Sequence, residues 1–166
     1  YIRNMYKVQI EGYYKDLKNL LTYEERRSST DAQVSDERLS DIVTPADGYA
    51  YGLELFGQKM AGKLSVWLAY TFSVSRKKMN SIYSASEKEY YTNWDRTHAF
   101  SALGNYQFNK KWEVNWRWTL QSGQAFTPIL GYYLQKFPES PEEVFRTIPG
   151  SRNSGRYKPY NRLDLG

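Results

Sequence analysis

His98 is the only histidine, and it stands beside Asp95 and Arg96, the one place where the residue types suit acid–base chemistry. A Ser-His-Asp hydrolase would also need a positioned nucleophile and an oxyanion hole, and the sequence shows neither. A polar cap at the entrance to a strand explains the cluster more simply. With one histidine and no cysteine, the chain cannot assemble the usual ligand set for a transition metal. Asp31, Asp36, Asp41 and Asp47 offer oxygen donors suited to calcium, but they lack EF-hand spacing and its central glycine, so solvated loop charge is the plainer reading. Neither catalysis nor a bound cofactor is expected.

Another polar set consists of Lys7, Gln9, Glu11, Glu54, Gln58, Asn115, Arg117, Gln121, Arg162 and Asp164. These residues interleave with large apolar ones, so their use depends on the elements that carry them. The stretch from Trp112 to Gln121 decides the matter. Trp112, Val114, Trp116, Trp118 and Leu120 occupy its even positions, and Glu113, Asn115, Arg117, Thr119 and Gln121 the odd ones. A β-strand points successive side chains to opposite faces, so this segment has one aromatic face and one wet face. Tyr6–Tyr14, Gly48–Gln58 and Leu64–Ser75 repeat the alternation, with Leu53, Leu55, Val66, Leu68, Tyr70 and Phe72 on the apolar side. His98–Phe108 brings Tyr106 to that side, and Tyr160–Gly166 begins a sixth strand.

Composition fits such strands. Aromatic residues make up 17% of the 166 residues, sixteen of them tyrosine, while the net charge is only +5. The mean hydropathy is −0.75. No apolar run approaches the roughly eighteen residues of a membrane helix, but a negative mean does not exclude a membrane barrel, in which only alternate residues face lipid. Lys and Arg are scattered rather than striped, so nucleic acid is not an expected partner.

The connections alternate in length. Polar stretches from about Asp16 to Asp47, Arg76 to Asp95 and Gln124 to Pro159 are long; the turns near Ala61-Gly62 and Asn109-Lys111 are short. Five of the six prolines fall in the last long stretch, which should keep it out of the ladder. One short rim and one long rim is the pattern of an antiparallel up-and-down transmembrane β-barrel. The polar set would then face the lumen and the apolar set, Trp112 included, would face lipid. Tyrosines near the loop bases (Tyr13, Tyr14, Tyr49, Tyr90, Tyr91, Tyr132, Tyr133) suit an interfacial girdle, or stacking on a ligand ring. A soluble extracellular β-sandwich binding a ligand or glycan is the alternative, with the apolar stripe packed on a second sheet. Register follows from the turns. Across Asn109-Lys111, Phe108 should meet Trp112, Tyr106 Val114, Gly104 Trp116 and Ala102 Trp118. A two-residue Ala61-Gly62 turn should set Leu55 against Leu68, Leu53 against Tyr70 and Tyr51 against Phe72.

Several motifs resemble those of TonB-dependent outer-membrane receptors. Gly48-Tyr49-Ala50-Tyr51-Gly52-Leu53-Glu54 is similar to the family's G-x-A-x-G-L-E strand, and Leu64-Ser65 with Ala69-Tyr70-Thr71 to the strand that follows it. Asp95-Arg96-Thr97-His98 resembles D-R-R-H, and Ser122-Gly123-Gln124-Ala125-Phe126-Thr127 resembles S-G-x-P-x-T with alanine for proline. Arg156-Tyr157-Lys158-Pro159-Tyr160-Asn161-Arg162-Leu163-Asp164-Leu165 resembles R-x-P-x-Y-x-R-L-D-L. The resemblance implies an outer-membrane barrel of about twenty-two strands, of which residues 1–166 supply a partial wall of about six from the later part. It further implies a plug domain and closing strands elsewhere in a longer chain. Drive by TonB and uptake of a small-molecule, glycan or peptide substrate caught by the long loops also come from the resemblance.

Overall fold

Alternation of large apolar and polar residues favours extended backbone, since each side chain then keeps to its own environment. The computed structural model describes residues 5–23, 43–79, 89–137 and 140–166, and these are strands and turns with no helix. In chain order the strands are β1 (Tyr6–Tyr23), β2 (Val43–Lys59), β3 (Leu64–Met79), β4 (Glu89–Tyr91), β5 (His98–Gln107) and β6 (Glu113–Gln121). They continue with β7 (Ala125–Phe126), β8 (Ile129–Phe137), β9 (Ser140–Pro149), β10 (Gly155–Arg156) and β11 (Tyr160–Leu165). The main sheet is an antiparallel meander in the order β1-β2-β3-β5-β6-β11, with β4 added beside the end of β3. It does not close on itself.

The strands run further than the hydrophobic pattern. β1 continues nine residues past the expected stop at Tyr14, and β2 starts at Val43 rather than Gly48, so the two pair from Tyr6–Lys59 to Tyr23–Val43. Polar residues end the burial of a face without ending the backbone ladder. Asn19, at a positive φ of 56°, marks the irregularity between Leu17 and Leu20. β3 likewise extends to Met79, where β4 pairs with Arg76–Lys78. The proline-rich segment is not bare loop: β8 pairs with β9, and β7 with β10, outside the main sheet. A two-stranded ribbon leaves one edge of each strand free, so Pro149 costs it no necessary ladder bond.

Of the expected registers, that of β5 and β6 holds: Tyr106 faces Val114, Gly104 Trp116 and Ala102 Trp118. The Phe108 N–H donates to the Trp112 carbonyl, and Asn109 Oδ1 accepts from the amides of Lys111 and Trp112, which shapes the turn. The β2–β3 register does not hold. Leu55 pairs with Tyr70, Leu53 with Phe72 and Tyr51 with Val74, two residues from expectation. The connection spans Met60 to Lys63, and Gly62 takes the left-handed conformation (φ 88°). Because the shift is even, each side chain stays on its expected face.

The registers give the sheet two unlike faces, and no large side chain among the described residues is fully buried. One tight contact is internal to the apolar face: a Cβ at Gly104 would fall inside the Trp116 indole, whereas one at Gly57 would meet nothing. Gly104→Ala should therefore destabilise the complete protein by about 1–3 kcal/mol, the usual cost of overpacking. Gly57→Ala should change it by less than about 0.5 kcal/mol. Denaturant unfolding of the two variants side by side checks this, and equal midpoints would refute it.

Candidate functional site

The polar face is built from rows that cross the strands. Lys7 faces Gln58, Gln58 faces Trp67, Trp67 faces Leu103, Leu103 faces Arg117 and Arg117 faces Asp164. The next row joins Gln9, Phe56, Ala69, Ser101, Thr119 and Arg162, and the one beyond it Glu11, Glu54, Thr71, Ala99, Gln121 and Tyr160. All the residues expected to line a lumen thus share one face. Some meet: Arg162 Nε donates to Asp164 Oδ1 at 2.8 Å, and Asn105 Nδ2 donates to Asn115 Oδ1 at 2.8 Å. The Lys7 ammonium lies 5.7 Å from the Phe56 ring centroid. Trp67 and Leu103 interrupt this wet wall, and with Asn105, Asn115, Arg117 and Asp164 they line a shallow cavity of about 530 Å³. Trp67 sits at a polar-side position in the alternation, so the sequence carried a signal for it that ranking by charge passes over.

The apolar set, from Leu53 and Leu55 through Val66, Leu68, Tyr70, Phe72, Tyr106, Val114, Trp116 and Trp118 to Leu120, shares the opposite face. Trp112 precedes β6 by one residue in the same alternation.

At the end of the sheet away from the short turns, segments far apart in sequence interlock. Asp95, with 1% of its side chain exposed, accepts from the Ser75 amide at 2.6 Å and from Arg156 Nη2 at 2.5 Å. Arg156 Nη1 also donates to the Asp95 carbonyl at 2.8 Å, and its guanidinium lies 4.7 Å from the Tyr91 ring centroid. Asn153 Nδ2 donates to the Tyr91 carbonyl, and its own amide donates to Thr127 Oγ1. The Tyr49 hydroxyl and Arg76 both donate to Glu89, and together they hold its carboxyl below the ordinary value. The His98 neighbourhood separates into different partners. Asp95 turns to Arg156, Arg96 donates to the Gln121 side chain, and His98 Nδ1 lies 2.8 Å from the Tyr70 hydroxyl. Asp31, Asp36 and Asp41 lie outside the described residues, so the calcium reading is addressed only for Asp47, whose Oδ1 accepts from the Asn19 amide.

No protein-family model, curated protein or solved structure matches this chain.

What the arrangement can do therefore rests on its own geometry: a wet wall on one side, a bare apolar wall on the other, and a loop end tied by buried charge. The Asp95–Arg156 pair is the firmest of these ties, since removing one member leaves a buried donor or acceptor unmet. Arg156→Ala should cost about 1–3 kcal/mol, felt locally. Hydrogen exchange should then quicken in residues 92–97 and 150–157 while the β5–β6 amides stay protected. Uniform exchange throughout would show that the pair does not hold this end.

Proposed function

We propose that the chain forms part of the wall of an outer-membrane transport barrel, of the TonB-dependent receptor type its motifs resemble. In this reading it passes a nutrient bound at the long-segment rim toward the periplasm. The observation that carries the reading is an apolar sheet face that no described residue covers. Val8 is 65% exposed and Ile10 68%, and Leu53, Leu55, Leu68, Trp118, Leu163 and Leu165 are exposed beside them. A soluble monomer rarely presents so continuous a patch.

The dimensions support lipid as its cover. On β3 the apolar side runs from Leu64 to Val74, about 33 Å along a strand. At a tilt of about 40° that is roughly 25 Å of height, the depth of the apolar band on outer-membrane barrels. Beyond Val74 the same side carries Arg76, and at the short-turn end lie Lys59, Lys63, Lys110 and Lys111. Rings gather at both limits. Tyr14, Tyr49, Tyr51, Phe72 and His98 form a chain of contacts with centroids 5.5–6.5 Å apart, and Tyr106 and Phe108 pack at 4.7 Å near the short turns. Both limits step across the sheet in the same direction. Tyr14 shares a row with Tyr51 and Val74, while His98 lies one row nearer the short turns, with Phe72 and Leu53. At the other limit Tyr6 shares a row with Lys59, Val66 and Gly104, and Tyr106 lies one row beyond, with Leu64. Tilted strands need such a stagger to keep a band level. The polar face, with its cavity at Trp67 and Leu103, would then meet the lumen and a plug domain, and TonB would supply the drive.

Neighbouring positions on β1 provide the test. Ile10→Arg should impair assembly of the complete protein by about 2–4 kcal/mol, while Gln9→Arg should be tolerated. Spin labels on Ile10→Cys and Gln9→Cys, in protein inserted into vesicles, add a direct readout. Oxygen dissolved in lipid should relax the first, and a water-soluble nickel chelate the second. A label at Ile10 reached only by the chelate, or by neither reagent as in a sandwich core, would sink the barrel reading.

A further inference from the structure

The two short turns stand side by side at one end of the sheet. The Gln107 amide donates to the Lys63 carbonyl at 2.8 Å, so the connection from Met60 to Lys63 abuts the start of the turn at Asn109-Lys111. Together the turns carry Lys63, Lys110 and Lys111. Lys59 joins them from the last position of β2, in the row of Tyr6 and Val66 on the apolar face. Residues 59–63 and 108–112 include no Asp or Glu. Among the described residues none of these lysines forms an ion pair. Glu113, the next carboxylate along the chain, belongs to the polar face, where it accepts from Asn105 Nδ2 at 3.3 Å.

The long-segment end is built differently. There Lys18 pairs with Asp16, Arg76 with Glu89 and Arg156 with Asp95. Those cations meet a counter-charge within the chain, whereas at the short turns it has to come from outside. The surroundings narrow its chemistry. Trp112 is 71% exposed, Phe108 and Met60 are exposed on the same turns, and Tyr106 packs edge-on to Phe108. Lysine stems and rings at the margin of an apolar band suit the headgroup layer of a membrane, with the ammonium in the polar zone and the ring at its inner edge. A soluble anion would answer the charges and leave Trp112 and Phe108 in water.

We infer that the short-turn rim selects anionic phospholipid: Lys59, Lys63, Lys110 and Lys111 gather headgroups of the phosphatidylglycerol class while Trp112 and Phe108 lie at the acyl boundary. The inference rests on the barrel reading and adds to it a lipid class and a leaflet, the one that meets the short turns. Charge complementarity decides the class. A zwitterionic headgroup carries its own cation and leaves the lysines unmatched, while an anionic one neutralises them. One lysine placed beside each headgroup corresponds to about fivefold enrichment of the anionic lipid.

The test uses the complete protein in vesicles of phosphatidylglycerol and phosphatidylcholine in equal amounts. One lipid at a time carries a photoreactive diazirine at the top of its acyl chain, and crosslinks are located by mass spectrometry. Peptides covering residues 59–63 and 106–114 should take up phosphatidylglycerol about fivefold over phosphatidylcholine, and those covering residues 64–72 should take up both. Changing the lysines together (Lys59→Gln, Lys63→Gln, Lys110→Gln and Lys111→Gln) should bring the ratio at the turns to about one. The corresponding arginine variant should keep the preference, and Lys7→Gln with Lys15→Gln, on the polar face, should leave it unchanged. Labelling of residues 64–72 by both lipids with no preference at the turns would overturn the inference and leave the barrel reading standing. Labelling of residues 64–72 by neither lipid would sink that reading and the inference with it. Loss of the preference when inorganic phosphate replaces chloride at equal ionic strength would also overturn it, by assigning the lysines to a soluble anion.

Discussion

A sheet one layer thick cannot hide an apolar face by itself, and the layout of the main sheet follows from that. Each element of a domain normally buries its apolar side against a second layer. Here the described residues offer none, and the side chains that would be a core instead stand outward from Val8 to Leu165. At about 25 cal/mol for each Å² removed from water, such a face is a strong driving force toward whatever medium can cover it. The rest is arranged around this constraint: charged residues beyond the band, rings at its limits, and the rows of Lys, Gln, Glu, Arg and Asp side chains on the opposite side.

The loop end meets a different demand. There the backbone leaves the ladder and its polar groups need partners, and the chain supplies them from distant segments. Asp95 takes the Ser75 amide and the Arg156 guanidinium, while Asn153 takes the carbonyl of Tyr91. Motifs that stand far apart in sequence, Asp95-Arg96-Thr97-His98 and Arg156-Tyr157-Lys158-Pro159, are joined by one ion pair.

The faces of the strands were legible because a period of two is a property of the sequence itself. Both wall sets lie where the alternation put them, and Asn109 and Gly104 carried enough information to set the β5–β6 register. Strand ends were not legible: Lys15, Asp16 and Lys18 look like loop, yet polar side chains do not stop a ladder whose partner strand continues. The Met60–Lys63 connection escaped because turn length depends on whether Gly62 closes the turn alone or within a longer loop. The Asp95–Arg156 pairing was out of reach, since it exists only after registers and loop paths are fixed. Proline in residues 124–159 did exclude that segment from the main sheet, but said nothing of the ribbon β8 and β9 make with one another.

The alternation of short and long connections also sets an order in time. The loop between β2 and β3 and that between β5 and β6 are a few residues long, so each pair closes at small entropic cost and on the time scale of an isolated hairpin. The β1–β2, β3–β5 and β6–β11 pairings must span far longer stretches and come later. The sheet would therefore grow by joining preformed hairpins rather than by adding single strands. Each hairpin arrives with both faces already sorted, apolar on one side and wet on the other. The Asp95–Arg156 tie, which needs Arg156 near the end of the last long stretch to return to Asp95, would be among the last contacts to form and the first to open.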